Sequence, residues 1–483
     1  MPLKVLIIRL SAIGDVIHTL PLASEIKKVA PGAQVTWVVE QAASNLVQNN
    51  PSIDRVLIFP GKAAVAQIKS LKFGKPAWDQ VAQFIRELRS ESYDAAIDAQ
   101  GLFKSAILTY MSGAKIRIGF AGAREFGDRF LTHPVDVGDY FGPDRPVVEL
   151  NLQLAKKFQD LYKLAELGEV QAPKFVLPEL SQEAVAKADL WMKRLQALPP
   201  GVPSATGAAP SGNSTPAPDT PLAPEMPLTP AATSIPGTEA SPSTTSVPGA
   251  AASTAAPAVP AAAADRDSSL VPDMTPLSTS KPAPAMAPNR REPRDKHIHM
   301  NRSGGAAGPS TAVLVPGTTW DSKVWPLEHW FRLSERLIDE LGLSLILAGG
   351  KSETATNTSL ANQLRQSGRG SILDLTNQTS LLELQALFLQ SDLVVGADTG
   401  PLHLAAATNV PKVVGIYGST PWRRNGPYGA HCLTISLALD CQPCFKQICP
   451  LSTKACLIDM TPDYVFERIA EFLALHNRSP GPK

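Results

Sequence analysis

The sequence predicts an α/β chain of two Rossmann-like parallel-sheet domains facing a cleft, with a long disordered insertion between them. Three observations lead there. At 483 residues the chain exceeds what one hydrophobic core normally serves. Both of its ordered halves alternate short apolar, β-branched runs with amphipathic stretches, the pattern of parallel sheets covered on both faces. Between the halves, residues 199–309 are rich in Pro, Ala, Ser and Thr and nearly devoid of aromatics. Such a segment cannot bury enough apolar area to offset its ordering entropy.

In the first half, residues 1–190, the strand-like runs are "VLIIRL", "VTWVVE", "RVLIF", "AAIDAQ" and "IRIGF". Helical patterns such as "TLPLASEIKKVA" and "WDQVAQFIRELRS" separate them. The second half, residues 311–475, repeats the rhythm with "TAVLVPG", "SLILAGG", "SILDLT", "LVVGAD" and "KVVGIYG". Two domains of this kind present their ligand-binding loops at the C-terminal ends of the strands, so the cleft between them is the expected site.

Charge excludes little but helps. Lys and Arg number 45 against 44 Asp and Glu, a net +1, so no global field invites nucleic acid. One local run, Lys62, Lys69, Lys72 and Lys75 with Arg86 and Arg89 beyond, fits a solvated face; its sharper reading is a patch for an anionic acceptor or lipid head group. No apolar stretch reaches the ~20 residues that span a bilayer, and the N-terminus does not resemble a signal peptide. A cytoplasmic chain without disulfides is the expectation.

The first strand runs into "RLSAIGDVIHTLP", which puts Ser11, Gly14, Asp15 and His18 at a strand-to-helix turn. Ser11 or Asp15 either caps the helix or serves chemistry at its N-terminus, and position alone leaves both open. A dinucleotide fingerprint would need G-x-G-x-x-G; this turn has one glycine, and no cofactor is expected. The fourth strand ends in "DAQGLFKSA", bringing Asp98, Gln100 and Lys104 to the same rim. Arg117 and Arg124 are candidate forks for a carboxylate or phosphate, though surface arginines are common.

The second half opens with "LVPGTTWDSKVWP", where Thr318, Thr319 and Lys323 supply hydroxyls, loop amides and a cation suited to a diphosphate. Glu353, just past "LILAGG", sits at another strand-end rim, where a carboxylate can take ribose or sugar hydroxyls. In "LVVGADTGPLHLAAA" a strand delivers Asp398, then Thr399 and Gly400, and His403 lies in the first turn of the following helix. Alone, His403 reads as a packed or capping histidine; the constellation points to a phosphate at the helix N-terminus and a sugar on Asp398. The five cysteines, Cys432, Cys441, Cys444, Cys449 and Cys456, include one CxxC. Four thiolates are enough for zinc or an iron–sulfur cluster, but the second pair lacks CxxC spacing; buried unligated thiols are the alternative, and no metal ligands are assigned. The sole D-x-D, at Asp265 and Asp267, falls in the insertion and gives no support to metal-assisted chemistry.

Taken together, "SAIGDVIHTLP", "WVVE", "YDAAIDAQGLFKS", "GTTWDSKVWP", "DTGPLHLAAA" and "CQPCFKQICP" resemble the lipopolysaccharide heptosyltransferases of glycosyltransferase family 9. The first five look most like heptosyltransferase I and the cysteine tail like heptosyltransferase II. The resemblance implies a GT-B fold, with an acceptor domain first and a nucleotide-sugar domain second. It implies inverting transfer of a heptose from ADP-heptose to a lipopolysaccharide-core-type or other envelope glycan. A glycolipid acceptor in turn implies peripheral contact with the cytoplasmic face of the inner membrane.

By the same resemblance Asp15 is the general base. Thr318, Thr319, Lys323, Glu353, Thr379, Asp398, Thr399, Gly400 and His403 are donor contacts, and Lys104 and Arg124 face the acceptor. Lys323 and the helix amides would stabilise the departing diphosphate, work that a metal does elsewhere. The competing readings are the same fold with another nucleotide sugar, or a non-catalytic nucleotide-sugar-binding scaffold.

Overall fold

The computed structural model describes residues 2–61, 75–164, 172–199 and 310–478. Outside them lie residues 200–309 of the expected insertion and Lys62, Lys69 and Lys72 of the basic run, as do the side chains of Lys75 and Arg124.

The first half forms one six-stranded sheet from β1 (Lys4–Ile8), β2 (Gln34–Glu40), β3 (Arg55–Phe59), β4 (Ala95–Asp98), β5 (Ile116–Phe120) and β6 (His133–Val135). The second half forms another from β7 (Thr311–Val315), β8 (Ser344–Leu347), β9 (Ile372–Asp374), β10 (Leu393–Ala397), β11 (Lys412–Ile416) and β12 (Cys432–Ile435). Every pairing is parallel. The spatial orders are β3-β2-β1-β4-β5-β6 and β12-β11-β10-β7-β8-β9, the same order when each half is counted from its own first strand. This is the doubly wound Rossmann arrangement that the alternating pattern predicts. The central strands are apolar along their whole length because helices cover both faces: Val5–Ile8 and Ala312–Leu314 are fully buried. Each such Val, Leu or Ile contributes about 1.5–3 kcal/mol on burial. The sequence reading missed the edge strands β6 and β12, whose three and four residues are too short and too exposed to carry a periodic signal.

In both sheets the order reverses between the first and fourth strands, β1/β4 and β7/β10, and a crevice opens at their C-terminal ends. Register brings those ends level: Ile8 faces Asp98, and Val315 faces Gly396. The helix after β1, Ile13–Val29, packs on the helix after β10, Gly400–Thr408. Close approach is possible because glycines stand at the contact. A β-carbon on Gly14 would lie 2.6 Å from His403 Cδ2, and one on Gly400 would lie 2.7 Å from Ile13 Cγ2.

A second tie joins the halves. The helix Gln182–Ala197 is capped by Ser181, whose hydroxyl accepts the Ala184 N–H at 3.2 Å. It buries Ala184, Ala188, Met192 and Leu195, one stripe at helical spacing. It packs against the Leu381–Phe388 helix of the second half, where Lys187 meets Glu383 at 2.6 Å and Asp189 accepts from Gln390 at 2.8 Å. Among the described residues, no helix is long and apolar enough to cross a membrane.

Candidate functional site

At the end of β1 the chain leaves the sheet carrying Arg9, whose side chain is buried. Its Nη1 donates to the Ala99 carbonyl beyond β4, and its Nη2 lies 2.9 Å from Asp15 Oδ1. Burial alone would lower the Arg9 pKa, but Asp15 and Tyr140 outweigh it, so the guanidinium stays charged. The other Asp15 oxygen accepts the Ala12 N–H at 3.3 Å, which makes the aspartate a cap for its own helix as well. The capping reading of Asp15 is thus met, and the side chain remains 43% exposed while fixed at two points.

Around β4 the rim residues divide. Asp98 is a scaffold: buried, it accepts from Gln100 N at 2.9 Å, Gly101 N at 3.0 Å and Ser105 Oγ at 3.0 Å, while burial pushes its carboxyl pKa up. Gln100 is likewise spent on the Leu10 N–H, at 2.7 Å. Lys104, half-exposed at the start of the Phe103–Met111 helix, reaches Glu40 at 2.9 Å. Arg117 does not form an anion fork. It sits early in β5, and its donors go to the Phe130 and Ala114 carbonyls at 2.7 and 2.9 Å.

The second half builds a denser cluster. Asp398, leaving β10, is buried and takes Lys323 Nζ at 2.7 Å and Thr420 Oγ1 at 2.8 Å on Oδ2. His403 Nε2 lies 3.5 Å from Oδ1. Burial raises this carboxyl's pKa, but His403 and Lys323 more than offset it and hold the group far below the usual carboxylate range. Lys323 follows the short turn after β7, its ammonium 4.3 Å from the Trp320 ring centroid. Thr318 Oγ1 donates to the Asp398 carbonyl at 3.5 Å, whereas Thr319 is exposed. Thr399, in an extended conformation, stands at the N-cap position of the helix that Gly400 and Pro401 begin, without a capping bond from its side chain. The helix's first-turn amides are therefore left unpaired within the helix just after Asp398.

Glu353 lies against the same rim: its side chain fills the space a β-carbon on Gly317 would need. Thr379 is set apart on the loop from β9 into the Leu381–Phe388 helix, next to the capping Ser380.

The two clusters touch through histidines. The rings of His18 and His403 meet edge-on with centroids 4.4 Å apart, and both are buried. His18 Nε2 and His403 Nδ1 have no hydrogen-bond partner among the described residues. Burial, then His403 and Arg9, push the His18 pKa well down, so this ring is neutral at neutral pH. The sequence reading missed Arg424, on the short Trp422–Asn425 helix: its guanidinium donates to the Tyr140 carbonyl at 3.2 Å and is close enough to interact with Asp15 and Arg9.

The cysteines lie beyond this site. All five are free thiols; burial lifts Cys432 to about 12 and, with the neighbouring Cys441, Cys444 and Cys449, lifts Cys456 to about 11. Among the described residues no group of three or more His, Cys, Asp or Glu is arranged to hold a metal ion.

Two Rossmann sheets whose switch points meet over a carboxylate–lysine–histidine cluster suit a nucleotide-linked substrate. The sequence model of glycosyltransferase family 9 (heptosyltransferase) matches residues 81–179 and 265–455. The chain belongs to that family.

Among family-9 relatives, lipopolysaccharide heptosyltransferase 1 of Pseudomonas aeruginosa is 23% identical over 458 residues, 92% of this chain and 87% of that one. The Escherichia coli protein of the same name is 34% identical over 125 residues, 26% of this chain. That match spans only 38% of the E. coli protein's length. The GT-B fold is shared with E. coli heptosyltransferase WaaC solved with ADP, at TM-score 0.57 and 20% identity over 97% of this chain and all of that one. It is also shared with a family-9 glycosyltransferase from Veillonella parvula, at TM-score 0.60 and 15% identity over 98% of this chain and 97% of that one.

Proposed function

We propose that this family-9 chain is an inverting glycosyltransferase that moves a heptose from ADP-heptose to a lipopolysaccharide-core-type acceptor. The observation that carries the reading is the junction of the two halves. Gly14, the residue before Asp15, lies against His403 of the Asp398 cluster, so an exposed carboxylate and a diphosphate-type pocket share one cleft. In support stand relatives named lipopolysaccharide heptosyltransferase 1 and a WaaC structure solved with ADP-2-deoxy-2-fluoro heptose.

In the proposed reaction the first half, residues 1–190, binds the acceptor, with Lys104 and Arg124 toward its acidic part. The second half, residues 311–475, binds the donor. Asp15 removes a proton from the acceptor hydroxyl, and the oxygen attacks the anomeric carbon from the face opposite the diphosphate. The C–O bond to the diphosphate breaks as the new one forms, and configuration inverts. Arg9, 2.9 Å away, holds Asp15 in place; a positioned base of this kind contributes about 10²–10⁴ in rate.

ADP leaves as an anion. Lys323, Thr318, Thr319 and the amides at Thr399 and Gly400 receive its charge, with His403 and Asp398 on the sugar and Glu353 and Thr379 nearer the nucleoside. A glycolipid acceptor implies work at a membrane surface from the cytoplasmic side.

The deciding experiment is thermal stabilisation of the full chain by ADP-, UDP- and GDP-sugars, followed by a transfer assay with ADP-heptose and heptose-free lipopolysaccharide. Stabilisation follows RT ln(1 + [L]/Kd) for a ligand of the folded state. A shift confined to ADP compounds, with transfer, is the expected outcome. A shift with UDP- or GDP-sugars replaces the donor, and binding without transfer turns the protein into a scaffold.

A further inference from the structure

A cleft of about 510 Å³ opens at the C-terminal ends of β11 and β12, lined by Trp422, Arg423, Asp440 and Gln442, with Asp144 contributed by the first half. At its inner end is Thr420, whose hydroxyl donates to Asp398 at 2.8 Å, so the cleft abuts the donor carboxylate. The proposed donor contacts Thr318, Thr319 and Glu353 follow β7 and β8, on the opposite flank of β10. A nucleotide held by them leaves the β11–β12 side open.

The lining has the chemistry of a sugar-ring site. A pyranose has an apolar C–H face and a rim of hydroxyls. An indole covers the first, and carboxylates and amides bind the second. Trp422 is 40% exposed, so part of its indole is open to a ligand in the cleft. It is also braced: the Arg423 guanidinium lies 5.0 Å from its centroid and 3.5 Å from Asp144 Oδ1, which links the two halves over the cleft. Gln442 is fixed by a 2.8 Å bond to the Gly418 carbonyl, so the wall is preformed. A concave, preformed mixture of one aromatic and a few polar groups is the usual make-up of a ligand site.

We propose that this cleft is a subsite for a non-reacting sugar ring of the acceptor glycan, seated on Trp422 with its hydroxyls toward Asp440 and Asp144. The proposal rests on the glycosyltransferase reading for the identity of the glycan, not for the existence of the site.

The test is isothermal titration of the full chain, with ADP present, by the deacylated, heptose-free lipopolysaccharide core oligosaccharide. Trp422→Ala should weaken its binding at least about tenfold, and Trp422→Phe should recover most of that loss. Asp440→Asn should weaken it less. Thermal stabilisation by ADP reports that each variant is folded; if Trp422→Ala loses it, Trp422→Phe and Asp440→Asn carry the comparison. Equal affinity in the folded variants, or no binding to the wild type, overturns the subsite. Binding through Trp422 without heptose transfer keeps the subsite and overturns the activity reading instead.

Discussion

The ammonium of Lys323 lies 2.7 Å from the carboxylate of Asp398, and both side chains are largely out of water. A charge pair in this position is ready to exchange partners. In the proposed reaction a diphosphate would offer the lysine a stronger anion, while Thr420 and His403 would stay on Asp398.

Lys323→Ala should therefore abolish stabilisation by ADP and lower kcat/KM about 10²–10³-fold, the usual cost of removing one preorganised donor to developing charge. The apo protein should lose about 1–3 kcal/mol, since a buried carboxylate loses its charged lysine partner. ADP stabilisation equal to that of wild type would remove Lys323 from the donor site.

Asp15→Asn retains shape and hydrogen-bonding capacity at the helix start but removes the base. Binding of ADP should be unchanged and kcat should fall about 10²–10⁴-fold. Single-turnover transfer with saturating donor is the measurement; a loss under tenfold would leave Asp15 as only a cap.

The histidine contact makes stability depend on acid. His18 has a pKa depressed below its unfolded value of 6.5, so between those two values the unfolded chain binds the extra proton. Stability is then complete above pH 6.5 and declines as pH falls through that value. Asp398 acts in the same direction lower down: its depressed pKa contributes stability above 3.8 that is lost as pH falls further. In His18→Gln the decline in Tm between pH 7 and 5 should be shallower than in wild type. An unchanged slope would mean that His18 is not the group protonated on unfolding.

Gly400→Ala puts a methyl 2.7 Å from Ile13 Cγ2 in a packed helix–helix contact. A destabilisation of about 1–3 kcal/mol is expected from overpacking, read as a lower denaturant midpoint at constant slope. No change in midpoint would mean that the two helices can separate without cost.

Much of this was legible in the sequence, for identifiable reasons. Strands covered on both faces are apolar throughout, so β1, β2, β7 and β10 announce themselves. Asp15, Asp398 and His403 were visible because a strand, a tight turn and a helix start follow one another in the chain. Arg9 was not, because a charge at the end of an apolar run reads as an interruption; its meaning lies in Ala99 and Asp15, contacts made only once β1 and β4 are side by side. Arg424 was hidden for the same reason, as its partner Tyr140 belongs to the other half. Asp98, by contrast, looked like a site residue and is a brace, a distinction that depends on three hydrogen bonds no spacing rule contains.

The Leu198 carbonyl, after the helix that crosses to the second half, accepts from Ser371 Oγ at 3.1 Å, just ahead of β9. The carbonyl of Ser310, just ahead of β7, accepts from Ser344 N at 2.9 Å, where β8 begins. Leu198 and Ser310 thus both sit at the entry edge of one sheet, opposite the rim where chemistry is expected. A chain that leaves at Leu198 and returns at Ser310 therefore need not span a gap between the two halves. Closing a longer loop costs only about 0.6 kcal/mol per doubling, so the number of residues joining these two points matters little to the stability of the sheet. A short Gly/Ser bridge in its place should leave Tm and ADP binding as they are; a collapse of either would mean that the segment props up the body it hangs from.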